Sequence, residues 1–224
     1  MVGVVNAVAR IAALAACAAV VCPSASAVDP RSLALMPLPR QSLGPDAAAL
    51  VLAKDSGVAS NAAAARDAGG GVTAAALASD GRITGYTLDY ALPRLRARRR
   101  AQSLLEVQTI AELYRDQSTA MRGLSFWRVV TGALRGTKAG GVTVGLSPFT
   151  VHVGNGAFAF ELTCRFAGKP VLYVGDVVFR RGDLLGAVFV TVTREAGLRA
   201  RSVALAHRLA ARIEQVTTGK IQKP

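Results

Sequence analysis

Four strand-like segments in the C-terminal half of the chain are separated by very short turns. The segments are 142–153, 157–166, 171–179 and 184–193, and the turns between them read GNG at 154–156, GKP at 168–170 and RGD at 181–183. Parallel strands need a crossover of a dozen or more residues, whereas antiparallel strands can be joined by turns of this length and composition. The sequence therefore predicts an antiparallel meander.

Two further strands and two helices flank this meander in the sequence. Segments 82–92 and 103–114 are strand-like, and the second alternates, with Leu105 and Val107 on one face and Glu106 and Glu112 on the other. A helix is predicted from an Asp116 N-cap to about residue 130, and a closing helix over 195–216. The apolar stripe of the closing helix leaves three arginines predicted to point away: Arg199, Arg208 and Arg212. The fold class predicted is α+β, with an antiparallel meander of about six strands and two main helices packed on it.

Segments 171–179 and 184–192 are apolar on both faces. An antiparallel sheet with one wet face would alternate along each strand. A cover for the second face is therefore required, and it can come from the N-terminal arm, from a partner subunit or from a bound apolar ligand. The arm is the default expectation, because it needs no additional molecule.

The N-terminus has the organisation of an export leader. Residues 11–22 are uninterruptedly apolar, and PSASA at 23–27 ends in a small-x-small pattern. Cleavage after Ala27 would release the chain, whereas a lipobox reading of 14–17 would instead lipidate Cys17. The predicted organisation is a signal peptide at 1–27, an Ala/Gly/Pro-rich arm at 28–81, one α+β domain at 82–216 and a tail at 217–224. A secreted or extracytoplasmic envelope location follows, with membrane contact only through a possible lipid anchor.

The chain is strongly basic, with a formal net charge of +13. Its densest cluster contains Arg96, Arg98, Arg99 and Arg100, between two predicted strands. No aromatic side chains interleave these arginines, so a nucleic-acid partner is not expected. A solvated loop is the first interpretation, and contact with anionic envelope polymer or lipid headgroups is the second.

No catalytic or metal-binding motif is present in the sequence. His152 and His207 are the only histidines, and Cys164 is the only cysteine that remains after cleavage at Ala27. We therefore expect no enzyme activity, no metal and no cofactor. Cys164 is expected to be an inert core thiol.

The acid within the apolar segment VGDVV, Asp176, is the most unusual residue of the meander. A buried carboxylate needs a partner, and Arg165 or Arg194 on neighbouring strands could form a structural ion pair with it. The alternative role for Asp176 is to orient a ligand, in a site with Arg165, Arg194 and Trp127. Glu161, on the polar side of its strand, is expected to face solvent.

The order strand–strand–helix–meander–helix behind a leader resembles the secreted sensor-like domains of actinobacteria. These include the extracellular domains of PknH-type kinases and related small lipoproteins, and more distantly the PsbP-like fold. The resemblance is carried by 105–128, notably LYRD at 113–116, by VGNGA at 153–157 and by the arginine-rich closing helix. It covers about 82 to 216 and implies an α+β sandwich.

The resemblance also implies a non-catalytic binding or sensing role. The chain departs from the kinase domains in lacking a disulfide pair, and no functional residue carries over. Two functions follow as hypotheses: an envelope binding protein for a small or apolar ligand, and an adaptor that contacts anionic polymer through a basic surface.

Overall fold

The computed structural model describes residues 28–93 and 103–221. They form one open antiparallel sheet with helices on both faces. The strands are β1 (Val51–Leu52), β2 (Gly57–Ala59), β3 (Arg82–Ala91), β4 (Leu104–Tyr114), β5 (Lys138–Ala139), β6 (Val142–Pro148), β7 (Ala157–Phe166), β8 (Lys169–Arg181) and β9 (Leu184–Val192). The helices are α1 (Asn61–Ala68), α2 (Ala74–Ser79), α3 (Gln117–Gly132) and α4 (Leu198–Thr217), preceded by three short 3-10 helices between residues 30 and 49.

The predicted fold class is confirmed. The sheet runs in the order β1-β3-β4-β9-β8-β7-β6-β5, with β2 also paired to β3, and every pairing is antiparallel. The two main helices α3 and α4 follow β4 and β9 as expected. Among the described residues the sheet has nine strands and not six, because β1, β2 and β5 are only two or three residues long and carry no readable alternation.

One face of the sheet packs against α4 and the N-terminal arm together. The same core cluster contains side chains of α4, of the inner strands and of the arm. The fully buried arm residues in it are Leu33, Met36, Leu38, Leu43, Ala47 and Leu50. The arm therefore extends the cover that α4 provides, and lies over the β3 and β4 side of this face.

Three arginines of α4 hold the arm against the helix. Arg212 donates from Nε to the Leu35 carbonyl at 2.7 Å, and Arg208 donates to the Ser42 carbonyl at 2.8 Å. Arg201 forms an ion pair with Asp46. The prediction that Arg208 and Arg212 point away from the fold was wrong, because the arm supplies backbone carbonyls along that side of α4.

The other face of the sheet is covered by α3. Gly123, in the middle of this helix, allows close contact, because a Cβ there would lie 2.5 Å from ring atoms of Tyr114. α1 and α2 lie beside α3 and pack their alanines and Leu77 against Phe126. Both faces of the sheet are thus covered by elements of the chain itself.

The predicted signal peptide, Cys17 and the arginine cluster from Arg96 to Arg100 lie outside the described residues. Within 28–93 and 103–221, no helix combines the length and apolarity needed to cross a bilayer. The roles proposed for Cys17 and the arginine cluster therefore stay predictions.

Candidate functional site

Asp176 of β8 is the most unusual side chain on the face covered by α3. The residue is 1% exposed, and neither carboxylate oxygen has a hydrogen-bond partner. Buried polar side chains are almost always hydrogen-bonded, because an unpaired buried charge costs several kcal/mol. An acid in this position therefore calls for a physical explanation.

Apolar side chains surround the Asp176 carboxyl. Phe160 of β7 and Phe189 of β9 are its cross-strand neighbours. Burial raises the pKa of Asp176 to about 7. The Thr131 hydroxyl of α3 approaches the carboxyl and opposes this rise in pKa, without meeting the geometry of a hydrogen bond. Near neutral pH the group therefore stands between its neutral and charged forms.

The predicted ion pair of Asp176 with an arginine was wrong. Asp176 lies opposite Phe160, whereas Arg165 lies five residues further along β7, a distance of ~16 Å at ~3.3 Å per residue. Arg194 lies beyond the end of β9, five residues past the Phe189 that faces Asp176. Both arginines are exposed, because each lies at an end of the sheet where water is available.

Trp127 is on the same face as Asp176 but is held by another acid. Its indole Nε1 donates to Glu112 Oε2 at 3.0 Å, and the Tyr114 hydroxyl donates to the same oxygen at 3.1 Å. Glu112 Oε1 accepts from Arg82 Nε at 2.9 Å in a buried ion pair. Trp127 and Asp176 therefore both lie in the layer between α3 and the sheet. Thr131, one helical turn after Trp127, is the α3 residue that approaches Asp176.

The Arg82–Glu112 pair belongs to a network that sequence reasoning missed. Arg82 also donates to the Asn61 side chain at 2.6 Å and to the Ala59 carbonyl at 3.0 Å. The network connects β2, α1, β3, β4 and α3, and the guanidinium is matched by acceptors. The only signal in the sequence was Glu112 on the second face of an alternating strand.

The two halves of α3 are buried to different degrees. Thr119, Ala120 and Gly123 in the first half are fully buried, and Asp116 caps the helix start with a hydrogen bond of 2.8 Å to the Thr119 amide. In the second half and just beyond it no side chain is fully buried; the half-buried ones are Phe126, Trp127, Val130, Thr131 and Leu134. The helix is therefore anchored at one end, and its looser end lies near Asp176.

A second buried acid, with one unsatisfied oxygen, lies in the same cross-strand row of the sheet. The row runs from Asp89 through Gln108 and Phe189 to Asp176. Asp89 is 8% exposed, and its Oδ1 has no hydrogen-bond partner. Burial, together with the negative charges of Glu106 and Asp55, raises the pKa of Asp89 to about 7, and burial raises the pKa of Glu106 as well. The α3 face of the sheet is thus acidic in a basic protein.

The opposite face holds a buried acid that is paired with an arginine. Glu161 is buried and accepts from Arg199 Nε at 2.9 Å, and the Arg199 guanidinium lies 5.5 Å from the Phe149 ring centroid. The expectations that Glu161 faces solvent and that Arg199 points away were both wrong, because the start of α4 covers this strand. A surface cavity of about 400 Å³ beside them is lined by Glu161, Glu195 and Arg199, among others.

Other candidate chemistry is sparse across the part of the chain that the structure describes. No group of three or more His, Cys, Asp or Glu side chains there could hold a metal ion. His152 and His207 are both exposed, and Cys164 is buried, which raises the pKa of its thiol. A surface cavity of about 190 Å³ between the arm and α4 is crossed by the Arg201–Asp46 pair and offers no unpaired group.

Comparisons with known proteins identify the fold but no family. No protein-family profile matches the chain, and no curated protein matches it at the sequence level. Among solved structures, the extracellular domain of PknH from Mycobacterium tuberculosis is similar, with a TM-score of 0.56 and 12% identity. The match covers 85% of this chain and 97% of the PknH domain. The chain is thus similar in fold to a kinase extracellular domain, and this level of identity shows the fold alone.

Proposed function

We propose that this chain is an extracytoplasmic, non-catalytic binding protein with a sensor-like role. Its fold is similar to that of a kinase extracellular domain, and its first 27 residues predict an export leader. The observation that carries the proposal is the buried, unpaired carboxyl of Asp176 beneath the looser end of α3.

The ligand that fits this site is a small amphiphile with a cationic nitrogen. A cation would give Asp176 the partner that the described residues do not supply, and would favour its charged form. The apolar part would lie on half-buried side chains of the apolar cluster that contains Phe160, which include Leu134, Leu146 and Val174. Burial of that apolar surface would supply binding energy at roughly 25 cal/mol per Å².

Binding at this site would act on α3 unequally along its length. The first half is fixed by the Asp116 cap and by the contact of Gly123 with Tyr114. The second half, from about Trp127 onwards, is only half-buried and would move to admit a ligand. A shift of this one helix end would convert occupancy of the site into a change at the surface.

The test uses the single tryptophan of the chain, Trp127, as a reporter of α3. Decylamine is titrated below its aggregation concentration, with decanol as the uncharged match, and Trp127 fluorescence is followed at pH 8. We expect saturable binding of decylamine, and at least tenfold weaker binding of decanol. Asp176→Asn should weaken decylamine binding by at least thirtyfold, since removing one member of a buried charge pair costs about 2–5 kcal/mol.

Glu161→Gln is the matched control, because it removes a buried acid from the opposite face. It should leave the affinity for decylamine within about twofold. Decylamine affinity in the unmodified chain should also fall about tenfold from pH 8 to pH 6, because the carboxyl with a pKa of about 7 takes up a proton. Equal binding of decylamine and decanol, or unchanged binding by Asp176→Asn, would reject this site.

A further inference from the structure

The outward side of α3 is unlike the rest of the described helical surface. The α3 outer face consists of Met121, Arg122, Ser125, Arg128 and Val129, whose spacing of three, four and seven places them on one side of the helix. All five are exposed, and Met121 and Val129 are 56% and 70% exposed. Two large apolar side chains therefore stand in water between two arginines.

The cations of this face have no partners within the described residues. Arg122 and Arg128 make no side-chain hydrogen bond or ion pair there, and neither do Arg135 and Lys138 just past the helix end. No acid occurs between residues 117 and 132, and the nearest one, Asp116, is engaged in capping. These positive charges are therefore available to an external anion.

The arginines of α4, the other main helix, are engaged within the molecule. Arg201, Arg208 and Arg212 are occupied by the arm, and Arg199 is occupied by Glu161. The arginine-rich closing helix thus uses its charges inside the molecule. Of the two main helices, α3 is therefore the one whose arginines have no partner within the described residues. The sequence alone did not indicate a basic surface on this helix.

We propose that the α3 outer face docks onto an anionic lipid bilayer. Interfacial helices combine basic side chains, which reach phosphate headgroups, with apolar side chains that enter the headgroup–acyl boundary. Met121 and Val129 supply the apolar part, and Arg122 and Arg128 supply the basic part. A soluble anionic polymer would need the arginines but would gain nothing from exposed Met121 and Val129, so the bilayer fits the surface better.

This surface goes beyond the proposed function and does not depend on it. Asp176 lies on the inner side of α3, and the α3 outer face lies on the opposite side. If both are correct, α3 would connect the two, because the helix end that a ligand displaces belongs to the helix that contacts the bilayer. Each can nevertheless fail alone.

The test is co-sedimentation of the full chain with vesicles of phosphatidylcholine, with and without 30% phosphatidylglycerol. Binding to neutral vesicles is subtracted, so that any contribution of the apolar N-terminus cancels. The test variant carries Arg122→Gln, Arg128→Gln and Arg135→Gln. The control variant carries Arg66→Gln, Arg165→Gln and Arg194→Gln, which remove the same charge from exposed positions elsewhere. Thermal melts of both variants should match the unmodified chain.

We expect the test variant to lose about a hundredfold in affinity for anionic vesicles, since each basic side chain near such a surface contributes about fivefold. The control variant should lose less than fivefold, and Met121→Ser with Val129→Ser should lose at least threefold. Equal losses in the two arginine variants, or no preference for anionic vesicles, would overturn the proposal. So would equally tight binding to soluble polyphosphate that Met121→Ser and Val129→Ser leave unchanged, because that result would indicate a polymer partner.

Discussion

At the scale of single residues, Asp176 and Glu161 are buried acids in opposite situations, because Asp176 has no hydrogen-bond partner within the described residues and Glu161 is paired with Arg199. The segment VGDVV alone indicated that Asp176 is unusual, and the structure shows that the residue is 1% exposed. The sequence could not show that Asp176 lacks a partner, because the register that separates Asp176 from Arg165 depends on pairing between strands. Glu161 shows the reverse case, since an acid on an alternating strand proved buried once α4 covered it.

Replacing Asp176 tests whether its carboxyl is unpaired in solution. Because the folded pKa of about 7 lies above the unfolded value of 3.8, the unfolded chain loses its proton first as pH rises. This group therefore lowers the free energy of unfolding between about pH 4 and pH 7, by a few kcal/mol in total at about 1.4 kcal/mol per unit of pKa shift.

The Asp176→Asn variant lacks this titrating group. Its free energy of unfolding, compared with that of the unmodified chain, should therefore be a few kcal/mol higher at pH 8 than at pH 4. Urea unfolding at the two pH values measures this change, and the contribution of Asp89 cancels in the comparison. A difference in unfolding free energy that is the same at both pH values would show that folding does not raise the pKa of Asp176, and a loss that is larger at pH 8 would show that the carboxylate has a stabilising partner.

At the scale of elements, α3 was predicted with its N-cap, and its position on the sheet follows from a single glycine. Gly123 is unfavourable in a helix interior by propensity. The structure supplies the reason for the glycine, because Tyr114 occupies the space that a Cβ would need. Contacts between elements distant in sequence are not encoded in local periodicity.

A pair of glycine substitutions in α3 separates packing from helix propensity. Gly123→Ala should destabilise the fold by about 1–3 kcal/mol, because overpacking against Tyr114 outweighs the gain in propensity. Gly132→Ala is the control, since nothing lies within 4 Å of a Cβ there, and it should be neutral or stabilise by up to about 1 kcal/mol. Chemical denaturation of both variants decides the matter, and equal effects would place α3 away from Tyr114.

At the scale of the whole molecule, the meander and a sheet cover supplied by the arm were predictable, whereas the path of the arm was not. Short turns and apolar strands indicated β6 to β9, whereas residues 30–50 carry no periodicity. Their order comes from Leu33, Met36 and other apolar side chains buried against a sheet formed later in the chain, and from the arginines of α4. Such long-range burial leaves no local pattern in the sequence.

A substitution within the arm tests whether it belongs to the folded body. Met36 is fully buried, so Met36→Ala should cost about 2–5 kcal/mol of unfolding free energy. Arg31→Ala, at an exposed position of the same segment, should stay within about 0.5 kcal/mol of the unmodified chain. If the Met36 variant unfolds at the same urea concentration as the Arg31 variant, the arm does not contribute to the core.

The central claim is that Asp176 is a buried acid held without a partner until a cationic ligand binds. Carbon-13 NMR of aspartate carboxyl groups against pH measures this directly, with the Asp176→Asn variant assigning the resonance. The account predicts a pKa of about 7 for Asp176 in the free protein, and a pKa lower by at least about 1.5 when decylamine is saturating, which corresponds to thirtyfold tighter binding to the charged carboxyl. A pKa near 4 in the free protein would contradict it, because it would show that the carboxyl already has a partner or is open to water.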